Sequence, residues 1–201
     1  MGTVETFSPA EISAVTGASV KAVYKAIGER LPRGVSVRHN RQRYLTRWGA
    51  VCFVIDREMP KDVPLSVRRQ LYANILDHKA SSRVQFDRGI LSYVVDVKTV
   101  AERVDHDLAR YRDAMQLIVE DDEIQGGAAT FQGTRILVHQ IADLIEQGAD
   151  EAELRQDYPR LTSEMIAAAP IYARAHPRRG RPRKPVWRED IRSGKASSHQ
   201  G

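Results

Sequence analysis

The chain reads as mainly α-helical with short β-hairpins, and three observations carry that expectation. Capping residues stand before most apolar runs of helical period: Ser8, Ser19, Thr46, Asp96, Asp150 and Thr162. Hairpin-like pairs of alternating segments occur at 35–46 and 84–95, each around a polar turn. Gly and Pro punctuate the intervals between them. The 201 residues suffice for one or two small cores, and 42% hydrophobic with 28% charged residues excludes collagenous, low-complexity and disordered classes. A single Cys52 excludes a disulfide framework, and the N-terminal residues show no basic and apolar leader pattern, so a cytoplasmic location is expected. The longest apolar run, 50–55, is far below the roughly 20 residues a membrane span requires.

The net charge of +5 conceals a partition. Residues 1–80 carry 13 basic and 7 acidic side chains, 81–120 carry 6 and 7, 121–176 carry 4 and 10, and 177–201 carry 8 and 2. The chain thus has a basic head, a near-neutral middle, an acidic segment and a basic tail, and each basic end is a candidate for an anionic partner.

In the head, Ser8-Pro9-Ala10-Glu11 forms a capping box with Pro at the first helical position. Ile12 and Val15 give the helix an apolar side, and Gly17 suits its left-handed end. Ser19 then caps a second helix carrying Val20, Val23 and Ile27, and two short helices around a three-residue turn make the helix-turn-helix pattern. Lys21, Tyr24 and Lys25 point outward from the second helix. A hairpin around a turn at 39–41 crowds Arg38, Arg41 and Arg43 at its tip, where guanidinium groups suit phosphate oxygens, so it reads as a wing. Thr46 caps a helix through Trp48, Val51, Phe53 and Val54, and a further helix runs over 65–76. These six residues, Lys21, Tyr24, Lys25, Arg38, Arg41 and Arg43, are the candidate DNA contacts of a winged helix-turn-helix in 1–80. An ordinary helical domain with a solvated basic hairpin is the competing reading. Cys52, Trp48 and Phe53 read as packing residues.

Residues 81–120 read as a connector or dimerisation element. Two strands flank a turn at Asp87-Arg88-Gly89, and Asp96 caps a helix with Val100, Val104, Leu108 and Tyr111 along one side. Asp105-His106-Asp107 reads as a solvated face, because consecutive helical residues diverge and cannot form a catalytic set unaided.

In 121–176 a short strand precedes three helices. Ile141, Leu144 and Ile145 mark the first, which ends at Gly148; Asp150 and Glu153 box the second, which closes at Tyr158-Pro159; Thr162 caps the third. Pro170 is expected to kink or restart that last helix. The glycines from Gly127 to Gly133 lack the Lys-Ser/Thr pair of a phosphate loop, and no HExxH, CxxC or GxSxG pattern occurs. No catalytic residue, metal site or cofactor is expected, and the chain reads as a non-enzyme.

The stretch from Gly126-Gly127 through Gly133-Thr134-Arg135-Ile136-Leu137-Val138, Gly148, Asp157-Tyr158-Pro159, Leu161-Thr162 and Ala175 to the run His176–Pro182 resembles the small domain of VapB-type antitoxins. Ala129, Leu137 and Pro170 depart from that pattern. The helix-turn-helix is similar to that of MerR-like proteins. The resemblance implies a three-helix, homeodomain-like fold for 121–176 and a role in a type II toxin–antitoxin system. The chain would silence a cognate PIN-like ribonuclease toxin, bind operator DNA to repress its own operon, and act as a homodimer. The acidic charge of 121–176 argues against DNA contact there and favours protein contact.

The tail, 177–201, is rich in Pro and Arg and is expected to be extended. Arg178, Arg179, Arg181, Arg183, Trp187 and Arg188 are the candidate toxin contacts, each guanidinium pairing a carboxylate of the nuclease. Arg179-Gly180-Arg181-Pro182 also fits the core of an AT-hook, which would make the chain a free-standing DNA-binding regulator. A solvated tail is the third reading.

Overall fold

The expected caps form the first helices. The computed structural model describes residues 5–39, 42–78, 82–88 and 90–178. In α1 (Pro9–Thr16) the Ser8 hydroxyl accepts from the Glu11 backbone N–H at 3.2 Å, and Glu11 Oε2 accepts from the Ser8 N–H at 2.6 Å. Gly17, at φ 67°, ends the helix in the left-handed region where a side chain is strained. Ser19 caps α2 (Val20–Lys25), which is continued by a π-helical turn over Ala26–Arg30. The hairpin pairs β2 (Ser36–His39) with β3 (Gln42–Thr46), and β1 (Thr6–Phe7) lies on the other edge of β3, so the wing belongs to a three-stranded sheet in the order β1-β3-β2. His39, read as part of the turn, pairs with Gln42 at the end of the ladder.

Thr46 then caps α3 (Arg47–Glu58), and α4 (Leu65–Asp77) comes next. In the second hairpin β4 (Arg83–Arg88) pairs with β5 (Leu91–Asp96). Its register sets Asp87 opposite Ser92 and Arg88 opposite Leu91, so Asp87 and Arg88 are strand residues rather than the expected turn. The Asp87 carboxylate accepts from the Ser92 hydroxyl at 2.6 Å, which draws it into the ladder and holds its pKa below the usual carboxylate range. Asp96 caps α5 (Val97–Gln116), the longest helix described.

A two-stranded ladder of β6 (Ile118–Val119) and β7 (Thr130–Phe131) leads into α6 (Val138–Glu146), α7 (Glu151–Asp157) and α8 (Ser163–Ala175). The helix α8 passes through Pro170 without the restart expected there. Packing against α1, α5 and α6 offsets the lost hydrogen bond.

One core gathers Ile12, Val23, Val35, Leu45, Phe53, Leu71, Tyr72 and Ile75, and extends through Val84 and Val97 to Leu108 of α5. A second is built by Phe131, Val138, Ile141, Leu154, Leu161, Ile166 and Tyr172. Ala14, Tyr111 and Ala175 bridge α1, α5 and α8 in a small third cluster. Cys52 is fully buried, and desolvation pushes its thiol up to about 12, in keeping with a packing residue. Among the described residues no helix is long and apolar enough to cross a membrane.

Candidate nucleic-acid interface

The surface of α2 is set by its amphipathic spacing. Val23 is completely buried, and burying it turns Lys21, Tyr24 and Lys25 outward. Tyr24 keeps 49% of its surface exposed between the two lysines. The Lys25 ammonium lies 4.0 Å from Glu29, a solvated pair one helical turn along, and remains available to another anion.

The hairpin adds charge at a cost to the free protein. Arg38 stands directly opposite Arg43 in the β2–β3 ladder, where like charges repel, and both residues are exposed. Arg43 is only partly free: its Nη1 donates to the Ile27 carbonyl at 3.1 Å, which fastens the hairpin to the π-helical turn after α2. Arg43 is therefore a bracket between wing and helix as well as a charge, whereas Arg38 projects without such a tie. Val37, the preceding residue on the same strand and so on the other face of the hairpin, is 46% exposed. Arg41 lies outside the described residues.

Behind this surface lies a buried ionic cluster that sequence reasoning missed. The Asp56 carboxylate on α3 is 1% exposed and is met by Arg30 Nε at 2.8 Å, Arg68 Nη1 at 3.0 Å and the Tyr72 hydroxyl at 2.9 Å. Arg68 also donates to the carbonyls of Pro60, Val63 and Asp56, so nearly its whole guanidinium fork is used. Burial and the neighbouring carboxylate push the Tyr72 phenol well above its ordinary value. Arg30 ends the π-helical turn after α2, so the cluster fixes how α2 sits on α3 and α4. The signal in the sequence was an acidic residue directly after the apolar run 50–55 of α3, on the same side as Cys52 one turn earlier, where a buried charge needs a partner.

Two further contacts hold α5 against the head. The Tyr111 hydroxyl donates to Glu11 Oε1 at 2.7 Å, using the oxygen of the capping box that Ser8 leaves free. Asp105, read as part of a solvated face, stays 47% exposed and also takes both Nε and Nη2 of Arg47, whose guanidinium lies 4.8 Å from the centre of the Trp48 ring. A bidentate partner from the start of α3 recruits the carboxylate. Among the described residues no group of three His, Cys, Asp or Glu side chains gathers as a metal site.

Of the tail residues, Arg178 is described, and its Nη1 pairs with Asp143 Oδ2 of α6 at 2.7 Å. Arg179, Arg181, Arg183, Trp187 and Arg188 lie outside the described residues.

Residues 118–173, from β6 into α8, match a family model described as "Protein of unknown function (DUF433)". The chain is also similar to the "Uncharacterized protein y4eO" of Sinorhizobium fredii (strain NBRC 101917 / NGR234), at 34% identity over 87 residues. That match covers 43% of this chain and 38% of the relative's length. No solved structure matches the chain.

Proposed function

We propose that the chain is a DNA-binding regulator that places α2 in the major groove and steadies the complex through the β2–β3 hairpin. The observation that carries this reading is the pair α1–α2 around a three-residue turn, with Lys21, Tyr24 and Lys25 exposed and Arg38 set against Arg43 beside them. A phosphate between the two hairpin arginines would turn their mutual repulsion into shared attraction. The rigid Asp56 cluster supports the reading because a recognition helix must be held at a fixed angle to fit a groove.

Within this reading the biological role is that of an antitoxin in a type II toxin–antitoxin system, supported by the resemblance of about 121–182 to VapB-type proteins. The head represses the operon as a homodimer, and the Arg-rich tail beginning at Arg178 occupies the carboxylate-lined centre of a PIN-like ribonuclease. The protein is a regulator rather than an enzyme.

The test is binding to duplex DNA from upstream of its own gene, at a series of salt concentrations. In Lys21→Ala/Lys25→Ala/Arg38→Ala the slope of log affinity against log salt falls by about one per lost phosphate contact, with helix content unchanged. An unaltered slope removes the head from the DNA. Co-expression with the product of the neighbouring gene tests the tail: deleting 177–201 releases the captured toxin and leaves operator affinity intact. Equal loss of operator affinity assigns the tail to the minor groove instead.

A further inference from the structure

A cavity of about 480 Å³ opens beside the second core, with Leu137 and Ala129 as apolar lining and Glu120, His139, Tyr172 and Arg178 as polar groups. The Glu120 carboxylate accepts from the Tyr172 hydroxyl at 2.5 Å. One side of the Tyr172 ring meets the His139 ring at 5.4 Å between centroids, and a near-parallel stack with His176 lies at 4.4 Å. His139 is also hydrogen-bonded to the His176 backbone. Arg178 then reaches Asp143 of α6 at 2.7 Å. The chain leaving α8 is therefore fastened beside the cavity as far as Arg178.

The sequence beyond Arg178 is strongly cationic. Residues 179–201 hold seven Arg and Lys against Glu189 and Asp190. The cavity side is the opposite: Glu120 lines it, and the next three residues in the chain, Asp121, Asp122 and Glu123, are also acidic and exposed. Asp122 lies against Gly127, a cavity residue, so closely that a Cβ on Gly127 would come within 2.8 Å of its Oδ1. Four adjacent carboxylates repel one another, and a guanidinium series relieves that repulsion.

We propose that this acid-rimmed cavity is the docking site of the chain's own Arg-rich segment, residues 179–188, held in cis until an anionic partner competes for it. Arg178 on Asp143 is the first rung, and each later Arg can take a rim carboxylate through two hydrogen bonds. The ten residues reach roughly 30 Å when extended, more than the cavity requires. The tether raises the local tail concentration to the order of millimolar, so individually weak surface pairs suffice. Trp187 is the aromatic group that the apolar lining of Leu137 and Ala129 accommodates. Docking of this kind does not rest on the proposed DNA contacts of the head, because it is a contact within one chain.

The experiment uses the full-length chain at low salt. Trypsin cleavage within 179–188 is timed in the parent protein and in two variants, Asp121→Asn/Asp122→Asn/Glu123→Gln and Asp143→Asn, with circular dichroism as the check on fold. Cleavage that tracks the undocked population accelerates about tenfold in the triple variant, and also in the parent at ~0.5 M salt. In a Trp48→Phe background Trp187 is the sole tryptophan, and its emission shifts to the red under the same two changes. Equal cleavage rates in parent and variants overturn the proposal, as does Trp187 emission of a fully solvated indole at every salt concentration. Protection that grows with protein concentration also overturns it, by assigning the docked tail to a second copy of the chain.

Discussion

At Asp56 one carboxylate with 1% exposure accepts from Arg68 and Tyr72 of α4 and pairs with the charge of Arg30. Removing it leaves two guanidinium groups facing each other without a counter-charge. Asp56→Ala should cost about 3–5 kcal/mol, the range for breaking a buried ion pair, and urea titration of the variant measures it. A loss below about 1 kcal/mol would show that water replaces the carboxylate. His139 yields a pH prediction with a definite sign. Burial and the Arg178 charge lower its pKa below 6.5, so the folded state prefers the neutral ring. The unfolded chain then binds the proton first, and stability present above pH 6.5 is lost as the pH falls below it. Thermal melts of His139→Gln against the parent between about pH 7.5 and pH 5 check this, since the variant lacks that part of the slope.

At the scale of elements, the helix boundaries were legible because they are written locally. Ser8, Ser19, Thr46, Asp96, Asp150 and Thr162 each accept from a first-turn N–H as their positions before apolar runs imply. What could not be read were contacts that need a distant partner. Asp105, Glu11 and Arg68 resemble ordinary solvated charges until Arg47, Tyr111 and Asp56 are brought to them. The candidate DNA contacts on α2 were accessible to sequence because outward residues are dictated by the buried Val23, whereas the double role of Arg43 depended on where Ile27 lies. Gly49 is another such case. A Cβ there would come within 2.5 Å of the Val35 carbonyl and 2.7 Å of Leu45 Cδ2, so α3 touches the sheet only because that side chain is missing. Gly49→Ala should destabilise by roughly 1–3 kcal/mol through overpacking, seen as a lowered denaturant midpoint. Pro170→Ala carries the opposite sign. Restoring a backbone bond inside α8 should raise the melting temperature, and a decrease would mean that the ring itself supplies packing that Ala cannot.

Over the whole molecule, the segment matched by the family model and the basic head are not independent. Ala14, Tyr111 and Ala175 pack together, and α8 touches both α1 and α5. Denaturation should therefore be one cooperative event. With Trp187→Phe leaving Trp48 as the reporter of the head, its fluorescence transition should coincide with the far-UV circular dichroism of all helices. Ala175→Leu should separate the two curves by forcing α8 away from α1, a change that an unconnected pair of domains would not transmit.

The meeting of Ala14 with Ala175 also sets a clock. A ribosome adding about 5–20 residues per second delivers the partner of the first helix on the order of ten seconds after that helix itself. Throughout that interval the basic head exists without the helix that packs against α1. A message cut short before α8 would thus yield a head lacking the surface that α8 covers. Full-length synthesis becomes a condition for a finished head, enforced by geometry rather than by any separate quality check.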